Sequence, residues 1–224
     1  MVAIYLDGAS FKSMKELEPV VSGFTTNPSL MKHDGVIDYR AFKDVVLAAV
    51  NGKPVSFEVF GDDVDSIYRQ ANEIASWGEN VYVKIPVMRT SGKDNYAIIA
   101  DLSKQMKLNV TAILTLDQIR IVARSLSFFH PSIISIFAGR IADTGRDPIP
   151  FFTEATRIKS GKTEILWAST REVYNYYQAQ QCGADIITMP PSMIQKLSLK
   201  DKDLNEYSRE TVSMFLKDSE GLSL

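Results

Sequence analysis

The sequence is poor in the residues that build disulfide frameworks and histidine-based metal sites. Its 224 residues include one cysteine, Cys182, and two histidines, His33 and His130, which lie far apart in the chain. One cysteine cannot form an internal disulfide bond, and one cysteine with two histidines supplies few ligands for a zinc site. We therefore expect no disulfide framework, no metal ion and no other cofactor.

The chain also has no marked excess of one charge and no long apolar run. Lys and Arg total 25 against 27 for Asp and Glu, which gives a formal net charge of −2. Such a chain lacks the excess of basic residues that is typical of nucleic-acid-binding proteins. Its first residues contain Asp7 and have neither the basic flank nor the apolar stretch of a signal peptide. We expect a cytoplasmic protein with neither nucleic-acid nor membrane partners.

Short apolar runs alternate along the chain with segments of helical spacing. Eight runs have the length and composition of strands: Val2–Leu6, Val20–Phe24, Val55–Val59, Val81–Ile85, Asn109–Leu114, Ile133–Ala138, Glu164–Ala168 and Asp185–Thr188. Four glycines, Gly52, Gly78, Gly161 and Gly183, stand just before a strand and suit the left-handed position that ends a helix. The pattern predicts parallel strands with helices outside them.

Eight such units in one chain of this length favour a compact (β/α)₈ TIM barrel. The hydrophobic content of 45% can fill its core. We expect residues 1–224 to form a single domain, with residues 190–224 as a C-terminal helical extension. Leu204, Tyr207, Thr211, Met214 and Phe215 form the apolar stripe of that extension. An open doubly wound sheet is the main alternative.

Polar residues occupy one side of most predicted strands. Because successive strand residues face opposite sides, Asp7, Glu58, Lys84, Thr111 and Ser135 oppose the aliphatic residues of their strands. In the seventh strand, Trp167 and Ser169 are expected on the polar side. Polar groups in a barrel interior are costly unless they satisfy one another or face a ligand. They predict an active site at the C-terminal mouth.

Lys84 is the most informative member of this set. An enclosed lysine that has lost its proton is a nucleophile for carbonyl carbon. Asp7 and Glu58 offer proton acceptors and donors on nearby strands. The combination suits Schiff-base chemistry on a polyhydroxy ketone. A lysine at a strand end paired with two carboxylates for structural reasons is the alternative.

Two arginines follow the sixth and seventh predicted strands. Arg140 and Arg171, with Ser169 nearby, could hold a phosphate group in the loops where this fold commonly binds one. Alternatively, these arginines form salt bridges with carboxylates such as Asp143 or Glu172.

The sequence resembles the transaldolase family, in its short subfamily that includes fructose-6-phosphate aldolase. The resemblance runs from Tyr5-Leu6-Asp7 to Ile187-Thr188-Met189-Pro190. Its most specific segments are Thr25-Thr26-Asn27-Pro28-Ser29-Leu30, Val83-Lys84-Ile85-Pro86, Ser135-Ile136-Phe137-Ala138-Gly139-Arg140-Ile141 and Ala168-Ser169-Thr170-Arg171.

The resemblance implies a role for each matching residue. Lys84 corresponds to the Schiff-base lysine and Asp7 to the acid/base acting at the C4 hydroxyl, while Glu58 and Thr111 correspond to the pair that positions a catalytic water. The implied substrate-binding residues are Asn27, Asn109 and Ser135 for the dihydroxyacetone unit, and Arg140, Ser169 and Arg171 for the phosphate. Phe137 and Glu58 stand where fructose-6-phosphate aldolases have tyrosine and glutamine, which favours transfer over release.

Several positions depart from the family pattern. They are Asp7-Gly8-Ala9-Ser10 at the first strand, the loop Val87–Lys93, Ile136 in place of a proline, and the bulky Trp167. None removes a catalytic group, but they leave the acceptor and the anionic sugar open. An aldolase that releases dihydroxyacetone, a transaldolase for a specialised ketose such as a sulfonated one, and a non-catalytic sugar-phosphate-binding barrel are the alternatives. The resemblance also implies a homo-oligomer, a pentamer or a decamer.

Overall fold

A computed structural model describes residues 1–223 of the chain. Eight parallel strands form a closed barrel in sequence order, β1 next to β2 and so on, with β8 returning to β1. The strands are β1 (Ala3–Asp7), β2 (Gly23–Thr25), β3 (Val55–Glu58), β4 (Val81–Pro86), β5 (Leu108–Ile113), β6 (Ser132–Phe137), β7 (Thr163–Ala168) and β8 (Ile186–Met189). The predicted (β/α)₈ barrel is confirmed, and the open sheet is excluded.

Helices follow the strands, as strand–helix alternation requires. They are α1 (Phe11–Leu17), α2 (Pro28–His33), α3 (Tyr39–Ala49), α4 (Val64–Ala75), α5 (Tyr96–Leu102), α6 (Leu116–Ser125), α7 (Ala138–Ala142), α8 (Ile149–Ile158), α9 (Tyr174–Gln181), α10 (Pro191–Lys196) and α11 (Leu204–Asp218). Side-chain caps begin several of them; Asp63 before α4 and Thr115 before α6 both form capping boxes. No helix among the described residues is both long and apolar enough to cross a membrane.

The core has two layers because the strands bury both faces. Aliphatic residues such as Val83, Ile85 and Ile134 lie under the helices and are fully buried. The floor of the barrel interior is filled by a second cluster that contains Tyr5, Tyr82, Ile133, Leu166, Ala168 and Ile186. This floor closes the cylinder, and a cavity opens at the C-terminal ends of the strands.

The glycine prediction is confirmed at three positions and wrong at one. Gly52, Gly161 and Gly183 have φ of 74°, 58° and 75°. Gly78 does not have a positive φ. The chain there turns tightly instead, with the Val81 amide donating to the Gly78 carbonyl.

The chain separates into two compact units, residues 1–194 and 195–224. The first contains the barrel. The second contains α11, which begins at the Asp203 cap and carries the predicted stripe on one side. None of the residues of α11 is buried.

Candidate active site

A cavity of about 540 Å³ opens at the C-terminal ends of the strands. Ten of the eleven predicted site residues line it, namely Asp7, Asn27, Glu58, Lys84, Thr111, Ser135, Phe137, Arg140, Ser169 and Arg171. They come from seven different strand ends or following loops, and the closed barrel brings them together. Asn109 does not line the cavity.

The Lys84 amine lies at the bottom of this cavity and is almost shielded from solvent. Lys84 is 5% exposed. Glu58 is its register neighbour on β3, and Glu58 Oε2 lies 2.9 Å from Nζ. Nζ also donates to the backbone carbonyl of Thr26 at 3.0 Å. The amine is therefore held in one orientation beside a carboxylate that can take its proton.

Asp7 ends β1 and lines the same cavity. Burial raises the pKa of its carboxyl, while the charge of Lys84 and a hydrogen bond from Thr25 act in the opposite direction. The Thr25 hydroxyl donates to Asp7 Oδ1 at 2.8 Å. A carboxyl with a raised pKa holds a proton more readily than a free carboxyl does, which suits an acid/base group.

Sequence reasoning missed two threonines that support Asp7. The hydroxyl groups of Thr25 and Thr188 lie 2.5 Å apart, and both residues line the cavity. Their positions held a signal, because each is a hydroxyl residue at the end of an otherwise apolar strand. The Thr26 carbonyl that holds Lys84 was missed too, since a backbone group leaves no trace in side-chain patterns.

Asn109 lies beneath the cavity and is fully buried. Its Nδ2 donates to Ser56 Oγ at 2.9 Å, and its Oδ1 accepts from Ser135 Oγ at 2.7 Å. Asn109 is the register neighbour of Lys84 on β5. The Asn109 side chain therefore links Ser56 of β3 to Ser135 of β6, and its expected role in holding substrate stays a prediction.

The end of β5 is irregular beside the cavity. The pairing of β5 with β6 shifts between Val110 and Ile113, and Ala112 has a φ of 60°. A non-glycine residue in this conformation is uncommon and costs conformational energy. Thr111, which lies within this shift, has a buried hydroxyl with no hydrogen-bond partner among the described residues. This unpaired hydroxyl on the cavity wall is available to a ligand or a water molecule.

Asn27 has a structural task as well as a place on the cavity wall. Its Oδ1 accepts from the Leu30 amide at 3.0 Å and caps α2, whose first residue is Pro28. The side-chain amide nitrogen remains to donate to a ligand. Phe137, at the end of β6, packs on the interior cluster and forms an apolar part of the wall.

Arg140, Ser169 and Arg171 form the outer, positively charged part of the cavity. Arg140 has no hydrogen-bond or ion-pair partner among residues 1–223, whereas Arg171 forms a bidentate pair with Asp143. Both arginines line the cavity. Arg171 therefore forms the salt bridge with Asp143 that the alternative predicted, and it also lines the cavity.

The prediction for the polar side of β7 is wrong for Trp167. Leu166 and Ala168 face the interior, and both line the cavity. Trp167 points outward and stacks on Phe152 of α8, with ring centroids 4.5 Å apart. Ser169 reaches the cavity because its φ of 62° turns the chain after the strand ends, which simple alternation does not anticipate.

The described residues contain no group of three or more His, Cys, Asp or Glu side chains arranged to hold a metal ion.

The chain is similar to solved TIM-barrel structures. It matches the tryptophan synthase α-subunit of Pyrococcus furiosus with a TM-score of 0.59 and 11% identity, covering 96% of this chain and 97% of that one. It matches orotidine 5′-monophosphate decarboxylase of Sulfolobus solfataricus with a TM-score of 0.58 and 15% identity, covering 88% and 95%. At this level of identity, the likeness concerns the fold alone.

Sequence comparisons are more specific. The family model described as transaldolase/fructose-6-phosphate aldolase matches residues 4–223. A probable transaldolase of Methanococcus maripaludis is 35% identical over 199 residues, 86% of this chain and 88% of that protein. Probable transaldolase 2 of Listeria monocytogenes is 32% identical and covers 98% of this chain and 96% of that protein. The chain therefore belongs to the transaldolase/fructose-6-phosphate aldolase family.

Proposed function

We propose that the protein is a transaldolase that moves a dihydroxyacetone unit from a ketose phosphate to an aldose phosphate through a Schiff base on Lys84. The observation that carries this proposal is the enclosed Lys84 amine, 2.9 Å from Glu58 and in the same cavity as Asp7. The relatives named probable transaldolases support the same reaction class.

In the first step, Glu58 accepts a proton from the Lys84 ammonium, and the neutral amine attacks the C2 carbonyl of the ketose. The resulting carbinolamine loses its hydroxyl group as water, with the proton returned by Glu58. Thr111, which lines the cavity and whose hydroxyl has no partner among the described residues, positions the water that carries this proton. The product is a protonated imine that joins C2 to Nζ.

The protonated imine then withdraws electrons from the neighbouring bond. Asp7 takes the proton of the C4 hydroxyl, the C3–C4 bond breaks, and its electron pair forms an enamine with C2 and Nζ. The C4 fragment leaves as an aldose phosphate. The raised pKa of Asp7 suits it to hold this proton and return it in the next step.

Transfer is completed when an acceptor aldose phosphate enters. The enamine carbon attacks the acceptor aldehyde, Asp7 protonates the alkoxide that forms to give the new hydroxyl group, and water hydrolyses the imine to release the new ketose. The enamine must be kept from premature protonation during the exchange, which the enclosed position of Lys84 favours. Arg140, Arg171 and Ser169 hold the anionic end of donor and acceptor in turn.

Release of free dihydroxyacetone, as in a fructose-6-phosphate aldolase, is the second candidate. Glu58 and Phe137 favour transfer, since they depart from the residues implied for release. A sulfonated or otherwise specialised ketose fits the same chemistry, because guanidinium and hydroxyl groups bind both anions. An assay of fructose 6-phosphate with and without erythrose 4-phosphate separates transfer from release, because only transfer needs the acceptor.

Trapping with borohydride tests the covalent step. The protein is incubated with fructose 6-phosphate and sodium borohydride, and a stable adduct is expected on the peptide that contains Lys84. Lys84→Ala should form no adduct and should lose at least about a thousandfold in kcat. Lys93→Ala is the matched control, because Lys93 is an exposed lysine of the loop after the same strand.

Two results would contradict the proposal. Wild-type protein that binds the sugar phosphate but yields no adduct across a panel of ketose phosphates would be a binding barrel without catalysis. Lys84→Ala that retains activity would place the chemistry on another group.

A further inference from the structure

Arg171 is held from the side that faces away from the cavity. Its Nη2 donates to Asp143 Oδ2 at 2.7 Å and its Nε to Oδ1 at 3.2 Å. Asp143 does not line the cavity, whereas Arg171 does. This pairing leaves Nη1 and one N–H of Nη2 for a ligand, so Asp143 does not occupy the edge of the guanidinium that an anion would use.

The backbone and the stem of Arg171 are restrained as well. The Arg171 amide donates to Asn175 Oδ1 at 2.9 Å. The stem crosses Gly139, where an added Cβ would lie 2.9 Å from Arg171 Cγ and 1.8 Å from the Ser169 carbonyl oxygen. Only glycine at position 139 lets the chain after β7 approach α7 this closely.

The short helix α7 therefore serves both arginines. It carries Arg140, which has no partner among the described residues, and its C-cap is Asp143, which holds Arg171. The opposite charges of Arg171 and Asp143 stabilise their ion pair. The Arg171 guanidinium also holds the pKa of Asp143 below its usual range. Since Asp143 and Arg171 are both about half exposed, their pair adds little to stability. A role in orientation accounts better for its bidentate geometry.

We propose that Asp143 is a positioning residue that orients Arg171 toward the anionic group of the substrate, with Gly139 providing the close approach that this orientation needs. The inference rests on the proposed function, because it assumes that the arginine end of the cavity binds the phosphate of the sugar. It predicts the direction in which anion binding changes when Asp143 is removed. Removing Asp143 takes away a negative charge near the anion, yet we expect anion binding to weaken, since an unheld arginine loses its bidentate geometry.

Binding of inorganic phosphate to the full-length protein tests this claim without requiring catalysis. Calorimetric titration should show Kd rising about tenfold in Asp143→Ala, and less in Asp143→Asn, which keeps one acceptor oxygen for Arg171. Glu172→Ala is the matched control: it removes an exposed carboxylate beside Arg171 that forms no ion pair among the described residues, and its Kd should not rise.

A double-mutant comparison shows whether Asp143 acts through Arg171. In an Arg171→Ala background, Asp143→Ala should leave phosphate affinity unchanged. Enzyme kinetics add a second readout: KM for fructose 6-phosphate should rise in Asp143→Ala with kcat little changed, and kcat/KM for unphosphorylated fructose should stay constant.

The proposal is overturned if Asp143→Ala binds phosphate as well as or better than wild type, or if wild type binds no phosphate. It is also overturned if Asp143→Ala weakens binding equally when Arg171 is absent. Failure of the proposed function looks different. In that case no borohydride adduct forms on Lys84, while the phosphate titrations still report on Asp143.

Discussion

At the scale of single residues, each buried charged group of the site has partners that offset the cost of its burial. The Lys84 ammonium loses its water but gains Glu58 and the Thr26 carbonyl, and the Asp7 carboxylate gains the Thr25 hydroxyl. Burying such groups without partners would cost several kcal/mol each. The partners make the burial tolerable and leave each group ready for proton transfer.

The hydrogen bond from Thr25 to Asp7 yields a prediction about pH dependence. Proton abstraction needs Asp7 as a carboxylate, so kcat/KM should fall as the pH drops through the raised pKa of Asp7. The Thr25 hydroxyl favours the charged form, so its removal raises that pKa further. In Thr25→Val, the acid limb of the kcat/KM profile should therefore move to higher pH.

Thr170→Val is the control for this shift. The Thr170 hydroxyl is also buried at the mouth of the barrel, but it donates to the Thr188 carbonyl and not to a carboxylate. Its acid limb should stay at the wild-type position. An unmoved limb in Thr25→Val would show that another group sets the acid side of the profile.

At the scale of elements, the short strand β2 is fitted to its neighbour by a glycine. Gly23 is the register partner of Tyr5 on β1, and a Cβ at Gly23 would lie 2.5 Å from Tyr5 Cζ. Tyr5 belongs to the cluster that closes the barrel floor, so its ring has little room to move. The glycine lets an aromatic ring lie across the strand.

We expect Gly23→Ala to lower the free energy of unfolding by about 1–3 kcal/mol through overpacking. In a domain of this size, that corresponds to a decrease in melting temperature of about 2–4 °C per kcal/mol. Thermal denaturation followed by circular dichroism measures the change. Tyr5→Leu should recover part of the loss in the double variant, because it removes the ring that the new methyl group meets.

Gly8→Ala provides the comparison within the same chain. A Cβ at Gly8 would lie 4.0 Å from Leu6 Cγ, an ordinary contact distance, so no overpacking is expected. If both variants lost the same stability, the loss at Gly23 could not be assigned to the Tyr5 ring.

At the scale of the whole molecule, α11 of the C-terminal unit carries exposed apolar side chains. Leu204, Tyr207, Met214 and Phe215 of α11 are all exposed, with Phe215 at 61%. A lone 15-residue helix is marginal in water, and its stability comes mainly from packing of its apolar side. We propose that this side packs in a homo-oligomer, the assembly that the family resemblance implies.

Light scattering coupled to size-exclusion chromatography tests the assembly. Wild-type protein should elute as a defined oligomer, and Phe215→Glu should shift the mass to smaller species because it places a charge on the packed side. Ser213→Glu is the control, since Ser213 lies on the opposite side of α11 and should keep the wild-type mass. A monomeric wild type, or Phe215→Glu with unchanged mass, would contradict the proposal.

Local pattern was enough to predict much of the site before the fold was known. Strand alternation has a period of two, so the polar sides of β1, β3 and β4 pointed to Asp7, Glu58 and Lys84 without tertiary information. The same reasoning failed at Trp167, which packs on Phe152 under the helices. Ser169 reaches the cavity as expected, but through a turn with positive φ beyond the strand end.

The sequence by itself determined the alternation of strands and helices, hence the barrel, and the residue types that gather at its mouth. Those properties follow from local periodicity and composition, which each segment carries on its own. Tertiary structure alone decided that Asn109 joins Ser56 to Ser135, that Thr25 and Thr188 meet beside Asp7, and that Asp143 holds Arg171 while Arg140 has no partner among residues 1–223. Such pairings join residues up to 163 positions apart. They depend on barrel register and loop approach, which no single segment specifies.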